Sequence, residues 1–160
     1  MQWAPIDLAL QEALGRSGNR LVFGHDFLRQ AVEMRYLRSE ENRRAAHCAI
    51  ADWFGAQKEW EGRKAEELPW QLGQAQRFIE LRGLLLDQEA LPSLCSERSN
   101  RELLGYWRAA RQPDDPEFDA LIAVDVEREI EALADDPELL AWFVGQLADL
   151  LSDAGLEGDL

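Results

Sequence analysis

The residues best suited to chemistry in this chain are a histidine and an aspartate that follow one another. His25 and Asp26 come directly after Leu21–Phe23, which is typical of a strand, and before a stretch whose apolar residues have helical spacing. A helix N-terminus attracts anions, and an imidazole adds a hydrogen-bond donor. The residues alone predict a helix start, with Asp26 as the cap and His25 as a turn residue.

Other reactive groups do not form a catalytic pattern. His25 and His47 are 22 residues apart, and Cys48 and Cys95 lack the spacing of metal ligands. His47 and Cys48 are neighbours on a predicted helix, where adjacent side chains point about 100° apart. No phosphate loop ending in Gly-Lys-Ser/Thr and no Gly-x-Ser-x-Gly elbow is present. We expect no enzyme activity and no metal site in these 160 residues.

The negative charge is concentrated at the carboxyl end of the sequence. Residues 1–60 hold 8 acidic and 8 basic side chains, residues 61–110 hold 8 and 7, and residues 111–160 hold 15 and 2, giving −14 in all. Such an acidic segment would repel phosphate backbones. It is either a set of solvated helix faces or a docking surface for a basic partner.

The compartment is expected to be the cytoplasm. No apolar run approaches the roughly 18 residues of a membrane helix, and the N-terminus lacks the features of a signal peptide. Two cysteines do not indicate a disulfide framework.

The elements that must position these residues are mostly helices. Ser39 is a predicted cap, and so is Asp136 followed by Pro137. The helix after Ser39 has a predicted buried stripe, made of Ala46, Ala49, Ile50, Trp53 and Phe54. Helical spacing also covers Ile6, Leu10, Ala13 and Leu14. We therefore predict an all-α fold, a helical bundle or α-solenoid-like set of helix pairs, without a clean repeat of about 34 residues.

The strand Leu21–Phe23 needs a partner, because one strand cannot stand alone. The partner lies either near the preceding turn-rich residues 15–20, in a tight hairpin, or outside this chain.

Four stretches, taken in order, resemble a known family. They read "LVFGHDFLRQAVEMRYL", "ENRRAAHCAIADWF", "RKAEELPWQLGQAQRFIELRGLLLD" and "ELLGYW". The order is similar to one region of NACHT and NB-ARC-type signal-transduction ATPases with numerous domains, above all nephrocystin-like and bacterial members that carry tetratricopeptide repeats. The likeness covers most of residues 20–110 and, more loosely, 111–160. It implies a partial winged helix with a short β-hairpin at 1–38, a helical connector at 39–110, and an acidic helical pair leading towards repeats at 111–160.

The resemblance also implies roles for single residues. His25 and Asp26 match a Met-His-Asp motif whose histidine contacts the β-phosphate of ADP in the closed state, with Gly24 in place of methionine. The nucleotide, ADP or ATP, would be held by an upstream domain, so no cofactor belongs to this chain itself. His47 is implied to be a hydrogen-bonded core histidine, and Trp70 and Trp107 to be core aromatics.

The expected function is a non-catalytic regulatory and scaffolding segment that couples nucleotide state to downstream sensor repeats. Its partners would be the nucleotide-binding and repeat domains of the parent protein. The alternative is a free-standing adaptor whose acidic face binds a basic protein. A winged-helix nucleic-acid binder would need a basic recognition helix, but residues 26–38 hold three arginines against two acidic residues, so no nucleic-acid partner is expected. No membrane partner is expected either.

Overall fold

The structure, a computed structural model, describes residues 13–17, 20–60, 62–97, 100–111 and 118–153. These residues form two short strands followed by eight helices. The strands are β1 (Leu14–Ser17) and β2 (Arg20–Phe23); the helices are α1 (Asp26–Tyr36), α2 (Glu40–Gly55), α3 (Gly62–Gln74), α4 (Phe78–Leu86), α5 (Leu91–Glu97), α6 (Asn100–Ala110), α7 (Phe118–Ala132) and α8 (Pro137–Asp153). The predicted all-α class with a small N-terminal hairpin is confirmed.

The chain divides into two compact units, residues 1–46 and residues 47–160. The division falls inside α2, so this helix contributes residues to both units. The domain boundaries implied by the resemblance, at residues 38 and 110, stay predictions.

The first unit contains the hairpin and α1. Strands β1 and β2 pair antiparallel, with Leu14 opposite Phe23 and Ser17 opposite Arg20. Beyond the ladder, the Gly24 N–H donates to the Ala13 carbonyl at 2.8 Å. The partner of the predicted strand is therefore the segment just before it. The helical spacing at Leu14 was misleading, because this residue lies in β1; Ile6 and Leu10 lie outside the described residues.

Two predicted helix starts are confirmed by their hydrogen bonds. The Ser39 hydroxyl accepts from the Asn42 N–H at 3.1 Å ahead of α2, and the Asp136 carboxylate accepts from the Leu139 N–H at 3.0 Å ahead of α8. Each bond satisfies one of the amide groups that a helix leaves without an internal partner.

Helix α3 ends in a left-handed residue. Gln76 has φ of 58°, its N–H donates to the Gly73 carbonyl, and the Arg77 N–H donates to the Leu72 carbonyl, both at 3.0 Å. This paired arrangement is a Schellman cap, which usually places glycine at the left-handed position. It turns the chain sharply and places Arg77 just before α4.

The second unit has a core of leucines around three aromatic rings, those of Phe54, Trp107 and Phe143. Helix α3 packs against α4, α5 and α6, α4 packs against α6 and α7, and α6 packs against α8. The largest fully buried side chains come from five of these helices: Pro69, Leu81, Leu85, Leu86, Leu91, Leu94, Leu103, Trp107 and Phe143. Trp107 is the core aromatic that the resemblance implied.

Four expected core positions are wrong. On α2 the buried side chains are Ala51 and Phe54, whereas Trp53 is 61% exposed and Ala49 and Ile50 are also exposed. Trp70 is nearly half exposed. Apolar side chains cover a wide arc of α2, and the periodicity did not reveal which edge of that arc packs against the core. None of the described helices is both long and apolar enough to cross a membrane.

Candidate functional site

His25 is the residue that precedes the first turn of α1. Its backbone is extended (φ −137°, ψ 138°), and its carbonyl accepts from the Leu28 N–H at 3.1 Å. Its side chain makes no capping bond; the imidazole stacks on Phe27, with ring centroids 5.4 Å apart and planes 13° apart. Asp26 is the first helical residue, so the expectation that it caps α1 is wrong.

The Asp26 carboxylate is engaged by its own helix. It accepts from Arg29 Nη2 at 2.7 Å, from Arg29 Nε at 3.0 Å and from Gln30 Nε2 at 2.9 Å. The hydrogen bond from Arg29, together with the arginine's charge, holds the pKa of Asp26 below its usual value. Asp26 does not orient the His25 imidazole, whose nitrogens have no hydrogen-bond partner among the residues that the structure describes. That ring is exposed and free to contact a group from outside this unit.

The surface beside His25 is apolar. Phe27 and Met34 are each 65% exposed, and Ala31 lies between them on the same side of α1. No residue of α1 is buried. A helix without a buried residue gains little from tertiary packing, and this exposed apolar face is a candidate interaction surface.

His47 belongs to a hydrogen-bonded chain between α2 and α3. Its Nδ1 lies 2.8 Å from Oε1 of the buried Gln71, and Gln71 Nε2 donates to Glu67 at 3.2 Å. The Trp70 ring lies nearly perpendicular to the imidazole, with centroids 5.1 Å apart and planes 83° apart. The implied hydrogen-bonded role of His47 agrees with this geometry, which ties two helices together and does not arrange a reactive group.

Arg77 fills the join between three helices of the second unit. It hydrogen-bonds Glu80 of α4 and Asp52 of α2, and these bonds raise the pKa of its guanidinium above the usual value, Glu80 contributing most. Two shallow grooves share Arg77 and Glu80 in their walls. Since both carboxylates already bind this cation, the grooves offer no free positive charge at Arg77 to an anionic ligand.

A buried ion pair joins α4 to α7. Arg82 Nε donates to Asp125 at 3.1 Å, with side chains 8% and 15% exposed, and Asp125 also accepts from the exposed Arg128 at 3.1 Å. No local pattern in the sequence indicates this pair, because its members are 43 residues apart. A second missed group is the buried Lys64, whose amine donates to the Gln57 carbonyl at 2.6 Å and lies 4.1 Å from the Trp60 ring centroid.

Most carboxylates on and around α8 have no arginine partner among the described residues. Residues 129–160 contain nine acidic side chains and no basic one. Carboxylates on α1 and α4 pair with Arg29 and Arg77, and Glu129 pairs with Arg128. By contrast, five exposed carboxylates have no ion pair among the described residues: Glu131, Asp135, Glu138, Asp149 and Asp153.

The two thiols are free and half-buried, and burial raises the pKa of Cys95. Within the described ranges, no group of three or more His, Cys, Asp or Glu side chains is placed to hold a metal ion.

Comparison with known proteins gives one distant likeness. A TPR repeat-containing protein from Dictyostelium discoideum is 22% identical over 115 residues, which is 72% of this chain and 7% of that protein. The chain therefore spans less than a tenth of its relative's length. No protein-family profile matches the chain, and no solved structure matches it. The likeness agrees with a helical-repeat character and does not extend to a NACHT or NB-ARC ATPase.

Proposed function

We propose that this chain is a non-catalytic regulatory and scaffolding segment of a signalling ATPase. The hairpin and α1 would be the end of a winged-helix domain, α2 to α6 a helical connector, and α7 and α8 an acidic pair that leads towards helical repeats. Its work would be mechanical: it couples the nucleotide state of an upstream domain to the placement of downstream repeats by rigid-body movement of packed helices.

The observation that carries this proposal is the exposed apolar face of α1. A two-stranded hairpin is at best marginally stable in water, and here it packs beside a helix without a buried residue. Phe27 and Met34 therefore call for a partner surface. The proposed partner is the nucleotide-binding domain of the same parent protein, and the repeat character of the Dictyostelium relative supports the downstream part.

His25 would read the nucleotide from this position. Its imidazole is exposed at the N-terminus of α1, where helix amides favour an anion, and it has no hydrogen-bond partner among the described residues. It would donate to the β-phosphate of ADP held by the upstream domain. Asp26, fixed by Arg29 and Gln30, would keep the first turn in place beside it. ADP and ATP would not bind to this chain alone.

Nucleotide retention tests the proposal. The DNA upstream of the Met1 codon should encode a phosphate loop, and the parent protein that it specifies is then loaded with a fluorescent ADP analogue. His25→Ala should release the analogue about tenfold faster, which corresponds to one lost hydrogen bond of about 1.4 kcal/mol. Arg38→Ala, an exposed change two residues beyond α1, is the control and should leave the rate unchanged. Equal release rates for His25→Ala and the unaltered parent would refute the role of His25.

A second candidate function is a free-standing adaptor with an acidic docking face. The observation in its favour is the set of exposed carboxylates around α8 that lack arginine partners among the described residues. Polylysine should then bind the chain in a salt-sensitive manner, because exposed charges are screened over about 8 Å at physiological ionic strength. Binding that does not weaken with salt would argue against this function.

A further inference from the structure

Helix α8 carries a row of small residues on the side away from the core, and we call this row the floor. Its inner side buries Phe143, Leu147 and Leu150. Ala141, Gly145 and Ala148 follow at helical spacing on the outer side, and all three are exposed. A Cβ atom added at Gly145 would meet nothing within 4 Å. The backbone of α8 is therefore open to close approach along two turns.

Apolar and acidic side chains border this floor. Trp142, 36% exposed, lies on one edge and Val144, 42% exposed, on the other. Glu138 lies one turn before Trp142 on the same edge, and Asp149 two turns after it. With a rise of 1.5 Å per residue, the two carboxylates are about 16 Å apart along the helix.

We propose that this α8 face, made of Glu138, Ala141, Trp142, Val144, Gly145 and Asp149, docks a basic amphipathic helix of a partner protein. The inference rests on the adaptor function proposed above and narrows it to one helix face and one class of partner. It adds that the partner contacts an apolar strip as well as the acidic charge.

Charge complementarity identifies the occupant. Glu138 and Asp149 are exposed and form no ion pair among the described residues, so the cations of a basic partner would complement both carboxylates. Lysine or arginine side chains about eleven residues apart on a helix would reach both carboxylates at once. Apolar side chains between them would contact Val144, and a cation can lie over the Trp142 ring. The small floor lets two helix axes approach to about 8 Å, the short end of the usual range.

The same charges disfavour other occupants. A second copy of this chain would bring like-charged faces together, and nucleic acid or an anionic lipid surface would be repelled.

The test uses a fluorescently labelled helical peptide of about 20 residues, with leucines on one face and lysines and arginines beside them. Its binding to the full chain is followed by fluorescence anisotropy at low and high salt. Glu138→Gln with Asp149→Asn removes the two charges from the α8 face. Glu59→Gln with Glu89→Gln removes two exposed charges elsewhere in the same unit and serves as the control.

A second pair of variants tests the floor. Gly145→Gln replaces a residue in open space, so it should raise the melting temperature through better helix propensity while it blocks close approach. Gly105→Gln makes the same change on the exposed side of α6, where a Cβ also meets nothing within 4 Å. Circular dichroism confirms that all variants fold.

The expected results separate the docking face from general attraction. The α8 charge variant should bind about tenfold more weakly and its control less than about twofold, since each exposed ion pair changes affinity by only a few-fold. Gly145→Gln should weaken binding about fivefold without loss of stability, a change of about 1 kcal/mol, and Gly105→Gln should bind normally. Equal losses in the two charge variants, or normal binding by Gly145→Gln, would overturn the α8 assignment and leave the adaptor function standing. No binding by the unaltered chain would overturn both.

Discussion

The buried ion pair of Arg82 and Asp125 should respond asymmetrically when its members are removed one at a time. Asp125→Ala leaves the Arg82 guanidinium buried without its carboxylate, and Arg82 is only 7% exposed. The cost to the free energy of unfolding should be about 3 kcal/mol. Arg82→Met should cost less, about 1–2 kcal/mol, because Asp125 keeps Arg128 as a partner and a methionine fills the space of the arginine stem. Replacing both residues, as Arg82→Met with Asp125→Leu, should return stability to within about 1 kcal/mol of the unaltered chain.

Urea unfolding followed by circular dichroism measures these differences. With a slope of about 2 kcal/mol per molar urea, Asp125→Ala should lower the midpoint by about 1.5 M and Arg82→Met by about half as much. The reasoning fails if Arg82→Met is the more damaging single change, or if the double variant is as unstable as Asp125→Ala.

Three further predictions concern the cap at Gln76, the Asp26 carboxyl and two tryptophans. Gln76→Gly should stabilise the chain by about 1 kcal/mol in the same urea assay, because glycine adopts φ near 58° without steric cost; a loss of stability would contradict the cap assignment. In an NMR titration the Asp26 carboxyl should titrate below its usual pKa of about 4. The stabilisation that the Arg29 contact provides is therefore fully present above that value and is lost as the pH falls through the lowered pKa. Arg29→Ala should return the pKa to normal. Trp107→Ala should cost about 3–5 kcal/mol and the exposed Trp53→Ala less than about 1 kcal/mol, whereas equal costs would place both rings in the core.

Local signals in the sequence were sufficient for the fold class and for the starts of α2 and α8. Ser39 and Asp136 cap their helices as expected, since a cap depends on residues at most three positions apart. The sequence did not decide whether the predicted strand pairs in a hairpin, because the turn-rich stretch before Leu21 fits a hairpin turn as well as a loop. Leu14 shows the limit of periodicity in short segments, where two apolar neighbours fit a helix or a strand.

Tertiary features were beyond the sequence for a physical reason. Trp53 and Met34 continue apolar helix faces, and a pattern alone does not distinguish a face that packs within the chain from one that is exposed. The contacts of Arg82 and Arg77 join residues far apart in the chain, and their partners are fixed only when the helices have packed. At the candidate site, the sequence correctly placed His25 at the joint between the hairpin and α1. It did not indicate that the Asp26 carboxylate pairs with side chains of its own helix.

The coupling of nucleotide state to this segment is tested most directly by hydrogen exchange of the parent protein. Exchange is compared between the protein loaded with ADP and the protein loaded with a non-hydrolysable ATP analogue. The amides of residues 22–36, which include His25 and the exposed face of α1, should be protected in the ADP state and exchange faster in the ATP state. The packed helices α3 to α6 should exchange alike in both. Identical protection of residues 22–36 in the two nucleotide states would contradict the proposal that this segment transmits the state of the nucleotide.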